Sequence, residues 1–213
     1  MKKLFGIMMF IFVIIAAFAY ADTEVMETVV SDTTNTYDGS NPAVATFVHS
    51  SWPSIPGATW IWTSFLVDAE SKFGPYTFKK TFSIPNDAHS IGGSIMITAD
   101  NAYKVYLNGV LLGSDGTVSS PPPTHDQEPN HVAQWSSIET YNFVPQPGAN
   151  EITIQANNYR GWVDPNTNPA GVLYRAVFVY KVPEPTNDVP EFGTIGAAFA
   201  LAGAGAYLYR KRK

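Results

Sequence analysis

The chain has 213 residues, 45% of them hydrophobic and 14% aromatic but only 15% charged, which fits one folded domain with hydrophobic ends and excludes a disordered polymer. It contains no cysteine, which excludes a disulfide framework and any thiolate-based zinc, iron–sulfur or redox centre. Removing Lys2, Lys3 and the four C-terminal cations from the 13 basic residues leaves 7 against 18 acidic ones, a net charge near −11 that disfavours a nucleic-acid partner.

The N-terminus has a basic start (Met1-Lys2-Lys3), an uncharged apolar run over residues 4–18, and small residues, Ala19 and Ala21, at the spacing a signal peptidase requires. Residues 1–21 are therefore read as a signal helix, and the mature chain as starting at Asp22. Residues 22–181 are read as one domain, with no repeat of 20–50 residues inside it.

Alternation dominates that domain. Segments 24–30, 45–49 and 59–64 are predicted strands, the last placing Trp60 and Trp62 on one face as a buried aromatic pair, with a binding platform as the alternative. Over Tyr76–Ile84 the even positions are Tyr, Phe, Lys, Phe and Ile and the odd ones polar, the pattern of a half-buried strand apart from Lys80. Ile95, Ile97 and Ala99 alternate with Ser94, Met96 and Thr98, and Ile152, Ile154 and Ala156 with Glu151, Thr153 and Gln155. Between these lie 103–107 and 110–112, joined by Asn108-Gly109, the pair best able to adopt the positive φ angles of a tight hairpin. Residues 138–144 are a further strand. Residues 172–180, apolar on both faces except for Arg175, are expected to run centrally. No amphipathic helical segment competes, so the predicted fold is all-β, an antiparallel β-sandwich of the jelly-roll kind.

The loops hold the candidate chemistry. A glycan site needs aromatic plates beside amide and carboxylate partners. The loop 157–169 supplies that mixture in Tyr159, Trp162, Asp164, Asn166 and Asn168, with Trp52 and Trp135 as further candidate plates. Asp100-Asn101 reads as a turn closed by side-chain hydrogen bonds; calcium ligation is the alternative, and no other cofactor is expected. The connection 114–134 is long for a compact sandwich and carries His125, Asp126 and His131, whose spacing matches no metal motif. A hydrolase reading is weaker: there is no Gly-x-Ser-x-Gly or HExxH, and Asp68, Glu70, Glu139 and Glu151 form no evident catalytic pair.

At the C-terminus a Pro-rich linker with Pro183 and Pro185 opens the segment 182–191, an extended spacer of roughly 3 Å per residue. Residues 192–209 carry no charge; as a helix they would extend about 27 Å at ~1.5 Å per residue, enough to span the hydrocarbon layer. Arg210-Lys211-Arg212-Lys213 then orients that transmembrane helix with its end in the cytoplasm and the domain outside. Val189-Pro190-Glu191-Phe192, the apolar run and the basic tail together resemble archaeal PEF-CTERM sorting signals. The resemblance implies a cell-surface protein cut near Pro190, Glu191 and Phe192 by an archaeosortase-like transpeptidase, with a lipid anchor replacing the span.

Three further stretches, GATWIW at 57–62, ITADNAYKVYLNG at 97–109 and the terminal pair ANEITIQANN and NPAGVLYRAVFVY, resemble galactose-binding-like β-sandwich modules of secreted and surface proteins. That resemblance implies the fold and a bias toward glycan or envelope binding, without implying catalysis. A structural envelope protein with no free ligand is the alternative expectation.

Overall fold

The computed structural model describes residues 22–67, 73–128, 134–160 and 168–184. The expected signal helix and transmembrane helix lie outside these residues. Among the described residues no helix is long and apolar enough to cross a membrane, and one 3-10 turn, Gln134–Ser136, is the helical structure present.

Among the described residues twelve strands form two antiparallel sheets. They are β1 (Asp22–Val30), β2 (Thr36–Tyr37), β3 (Asn41–Pro42), β4 (Val44–Ala45), β5 (Ile61–Trp62), β6 (Tyr76–Ile84), β7 (His89–Asp100), β8 (Ala102–Leu107), β9 (Val110–Asp115), β10 (Glu139–Phe143), β11 (Gly148–Asn157) and β12 (Gly171–Pro183). The first sheet runs β10-β7-β12-β5-β4, with β1 also paired to β12; the second runs β3-β2-β6-β11-β8-β9. As its two-faced apolar pattern required, β12 is central, with Ala176 opposite Ile95 of β7 on one side and Val29 of β1 on the other.

The period of two sets the core. From the first sheet Val172, Tyr174, Ala176 and Phe178 of β12 and Ile95, Ile97 and Ala99 of β7 point inward and are fully buried. Phe78, Tyr103, Val105, Ile152 and Ile154 face them from the second sheet. Phe82 stacks on Phe178 across the layers at 4.8 Å between centroids. Trp62 closes one side of this core, edge-on to Tyr76 and tilted against Phe78, each at 5.4 Å. Trp60 and Trp62 are both buried, but not as the expected pair: Trp62 belongs to the inner core and Trp60 to a second cluster on the outer face of the first sheet. The strand is irregular there, so parity does not carry from one tryptophan to the next.

Asn108 and Gly109 take φ of 49° and 80°, giving the tight β8–β9 hairpin that their sequence demanded. Asn108 also reaches β11, its Oδ1 accepting from Glu151 N–H at 2.8 Å and its amide donating to Asn150 Oδ1 at 2.9 Å. At the edge where β9 and β10 meet, a Cβ on Gly113 would sit 2.1 Å from the Tyr141 ring, so only glycine admits that ring. Tyr141 and Tyr103 share a hydrogen bond of 3.1 Å, and Tyr103 donates to Glu139, whose other oxygen accepts from Ser137. Burial, followed by the Tyr141 contact and the Glu139 charge, pushes the Tyr103 hydroxyl well above the ordinary tyrosine range, so it stays a donor. Glu139 thereby serves as a structural acceptor.

Candidate functional site

One end of the sandwich gathers the β7–β8 turn, the β9–β10 connection, the segment leading from β4 to β5, and the chain that leaves β11. Buried asparagine amides tie the β7–β8 turn, the β9–β10 connection and the chain that leaves β11 together. Tyr159 N–H donates to Asn101 Oδ1 at 2.7 Å, and Asn101 N–H to the Asn157 carbonyl at 2.9 Å. Asn157 makes a reciprocal pair with Ser119, donating to its carbonyl at 3.0 Å and accepting from its N–H at 3.2 Å. Asn168 donates to the Tyr159 carbonyl at 2.8 Å and accepts at its own carbonyl from Asn158 at 3.3 Å. Such amides supply loop backbone with the partners that a sheet ladder supplies to strands, which is why they tolerate burial.

The placement of the candidate residues follows from this scaffold. Tyr159 is fully buried, and its hydroxyl accepts from Thr117 N–H at 2.8 Å; it is a pin for the β9–β10 connection and offers no face to a ligand. Burial pushes that hydroxyl up to about 12. Asn168 is buried as well. Trp162, Asp164 and Asn166 lie outside the described residues, as do His131, Asp68 and Glu70. The first part of the β9–β10 connection is packed against the chain that leaves β11: Arg160 Nε donates to the Pro122 carbonyl at 3.1 Å, and Pro122 and Pro123 are buried.

Trp52 is buried too, because a second layer covers the outer face of the first sheet. Trp52 and Trp60 stack at 4.2 Å over Gly171, where a Cβ would stand 2.7 Å from Trp60 Cε3. Ile55 and Leu173 complete the cluster, with Trp135 and Ile138 packed against it. Beneath it Asp100 is 5% exposed and accepts from Trp52 and Asn101. Desolvation pushes its carboxyl well above the usual carboxylate range despite those two bonds. Asp100 and Asn101 thus link their turn to other segments, Asp100 to Trp52 and Asn101 to the Tyr159 backbone, a longer reach than the local turn closure the sequence suggested. Among the described residues no three His, Asp or Glu side chains gather as a metal site.

Among the described candidate plates, Trp135 is the one that remains partly open. It is half-buried, its lower side on the tryptophan cluster, with the exposed His49 ring 6.2 Å away at 57°. An apolar ring edge next to a polar ring, held on tied loops, suits the C–H face and hydroxyl rim of a sugar.

A second concavity, which motif reading does not find, lies on the second sheet. It encloses about 450 Å³ between Thr34, Thr36, Gly39, Lys79, Lys80, Thr81 and Glu151. Its origin is local. Strand β2 pairs with β6 only at Thr36 and Tyr37, and just before them the backbone turns in so that Asn35 can donate to the Tyr174 hydroxyl at 2.7 Å. The edge of β6 beyond Lys79 is left uncovered, and the gap becomes the cleft. Sequence carried one trace of it, the polar run of Thr77, Lys79, Thr81 and Ser83 on one parity of β6.

No protein-family model matches this sequence, and no curated protein matches it. Among solved structures the chain is similar to a native family 35 carbohydrate binding module from Clostridium thermocellum, with 13% identity over 71% of this chain and 97% of that one and a TM-score of 0.35. It is also similar to a CBM35 from Paenibacillus barcinonensis (14% identity, 68% and 97% covered, TM-score 0.33). Against an alpha-L-rhamnosidase from Streptomyces avermitilis complexed with L-rhamnose, identity is 21% over 62% of this chain but only 12% of that one, with a TM-score of 0.40. Likeness at this level defines no family, and the architecture rests on the strand register and packing above.

Proposed function

We propose that the protein is an exported, non-catalytic binding module of the galactose-binding-like jelly-roll type, anchored at the outer face of the membrane, that holds glycan or another envelope component. The observation that carries the ligand assignment is Trp135, left half-open beside His49 and packed against the buried Trp52 and Trp60 cluster. Export and anchoring are inferred from the tripartite start, the VPEF tetrapeptide, the uncharged run and the basic tail, with signal peptidase and an archaeosortase-like transpeptidase as processing partners. The non-catalytic reading is supported by the surroundings of Glu139 and Glu151, the two of the four candidate carboxylates that lie among the described residues. Glu139 is held by Tyr103 and Ser137, and Glu151 by Lys79 and Thr153 on the other sheet.

Glycan-array binding of the full-length protein is expected to fall about tenfold or more in Trp135→Ala, the scale of losing one well-placed stacking contact. Unchanged binding would remove the loop end as the site.

A second reading, a structural envelope protein that packs against its neighbours, is favoured by one feature. Phe47, Val48, Phe65 and Leu66 are 44%, 50%, 58% and 65% exposed, and Phe47 N–H donates to the Phe65 carbonyl at 2.8 Å, so the four stay together. Clustered exposed apolar groups mark contact surfaces. Under this reading sedimentation of the full-length protein shows self-association that Phe65→Asp abolishes; a strictly monomeric wild type contradicts it.

A further inference from the structure

We propose that the cleft between β2 and β6 is a second, separate ligand site, and that it takes an uncharged polyhydroxylated chain through a donor–acceptor pair made by Lys79 and Glu151. The proposal shares only the ligand class with the preceding reading; its residues lie on the other sheet, away from Trp135.

The charge balance comes first. Lys79 Nζ lies 2.9 Å from Glu151 Oε1 and Lys80 Nζ 2.7 Å from Asp32 Oδ1, so each cation in the cleft is already matched by a carboxylate. The surrounding part of the chain, with 7 basic and 18 acidic residues, repels polyanions. A neutral ligand therefore meets neither an unmatched charge nor a repulsive one. The hydrogen-bonding capacity left open comes second. Lys79 and Glu151 are 40% and 38% exposed. An ammonium has three N–H donors, of which Lys79 gives one to Glu151; Glu151 Oε1 also accepts from Thr153 at 2.9 Å, leaving Oε2 as an open acceptor. The Lys79 bond also holds the Glu151 carboxyl below its ordinary range, so it stays ionised. A donor and an acceptor of opposite charge, side by side at hydrogen-bond separation, match neighbouring hydroxyls of a sugar ring. One hydroxyl accepts from Lys79 while the next donates to Glu151, and both bonds are charge-assisted.

The flanking residues fit the same ligand. The hydroxyls of Thr36 and Thr81 have no protein partner among the described residues and border the pair. Register then extends the site across the sheet, because Lys79 stands opposite Thr153 and Thr153 opposite Tyr106. A chain of sugars leaving the cleft along that row passes a hydroxyl and then an aromatic ring.

The test is affinity electrophoresis of the full-length protein in detergent, in gels containing galactomannan, mannan or β-glucan, with polygalacturonate as the anionic counterpart. Retardation by at least one neutral polysaccharide is expected. Glu151→Gln and Lys79→Met should each weaken it about tenfold or more, with the melting temperature held as the check on folding. Retention of that loss in a Trp135→Ala background would place the two sites apart. The proposal is overturned if the Lys79→Met, Glu151→Gln double variant binds as the wild type does, in which case loss with Trp135→Ala alone leaves the loop end as the site. Retardation by polygalacturonate only would overturn the assignment to neutral chains, and no retardation in any gel would overturn both sites.

Discussion

Trp62→Ala is expected to lower the unfolding free energy of the sandwich by about 3–5 kcal/mol, the range for deleting a large aromatic from a packed core. Trp62 is fully buried and wedged against Tyr76 and Phe78 at 5.4 Å each. Its strand can offer little in compensation, since β5 is two residues long and pairs with β12 only at Val172 and with β4 only at Val44 and Ala45. With no cysteine in the chain, no disulfide ties those short strands to the core, and packing with a few ladder bonds holds them. Guanidinium unfolding should show the drop in midpoint, with Trp62→Phe intermediate. A loss below about 1 kcal/mol would mean that the ring is not the wedge described, because surface substitutions alone stay in that range.

The contrast between β5 and β6 shows what sequence could reveal. Strand β6 occupies Tyr76–Ile84 as predicted because nine residues of alternation, broken only at Lys80, leave one face to bury. The expected strands at 45–49 and 59–64 shrink to Val44–Ala45 and Ile61–Trp62, since beyond them the chain is joined by single bonds such as Thr46 N–H to the Trp60 carbonyl. Strand β7 runs from His89, well before the apolar triplet at 95–99, because β12 supplies a full-length partner that local composition does not announce. Two-residue β2 and β3 are too short for any periodicity to show. At the loop end, Tyr159 in a polar stretch reads as a surface ring; its burial depends on Thr117, 42 residues earlier, and no local pattern encodes that bond. The cover of tryptophans over the first sheet was foreshadowed, in retrospect, by Leu173 on the outward parity of a strand apolar on both faces. The cleft depends on Asn35 reaching Tyr174 across 139 positions, which only the folded chain displays.

Asp100→Asn is expected to stabilise the protein at neutral and alkaline pH while leaving it little changed near pH 4. Beneath Trp52 the carboxyl is held well above its ordinary range, chiefly by burial, and no cation stands among its contacts. A carboxyl raised on folding binds more protons in the native than in the unfolded chain. Its contribution is therefore fully present below the unfolded value of about 3.9 and falls as pH rises through the native value, by at most about 1.4 kcal/mol per pH unit. Asparagine keeps an acceptor for the Trp52 indole and removes that slope. Unfolding midpoints of both proteins between pH 4 and pH 8 should diverge steadily in favour of the variant. A variant less stable than the wild type at pH 8, or a difference independent of pH, would show that the carboxylate is held charged.

The same residue connects stability to binding. Trp52 lies on Asp100, Trp60 on Trp52, and Trp135 packs against that cluster, so the half-open ring rests on a buried carboxyl whose ionisation burial disfavours, rather than on solvent. Ionising Asp100 would disturb the support of the proposed plate before it disturbed the inner core.

The central claim is that this sandwich is a surface module that holds glycan. Equilibrium binding of the intact wild-type protein to polysaccharide isolated from its own cell envelope tests it most directly. The account predicts saturable binding that soluble oligosaccharides of the same composition displace; binding that fails to saturate, or that free sugar leaves untouched, would contradict it.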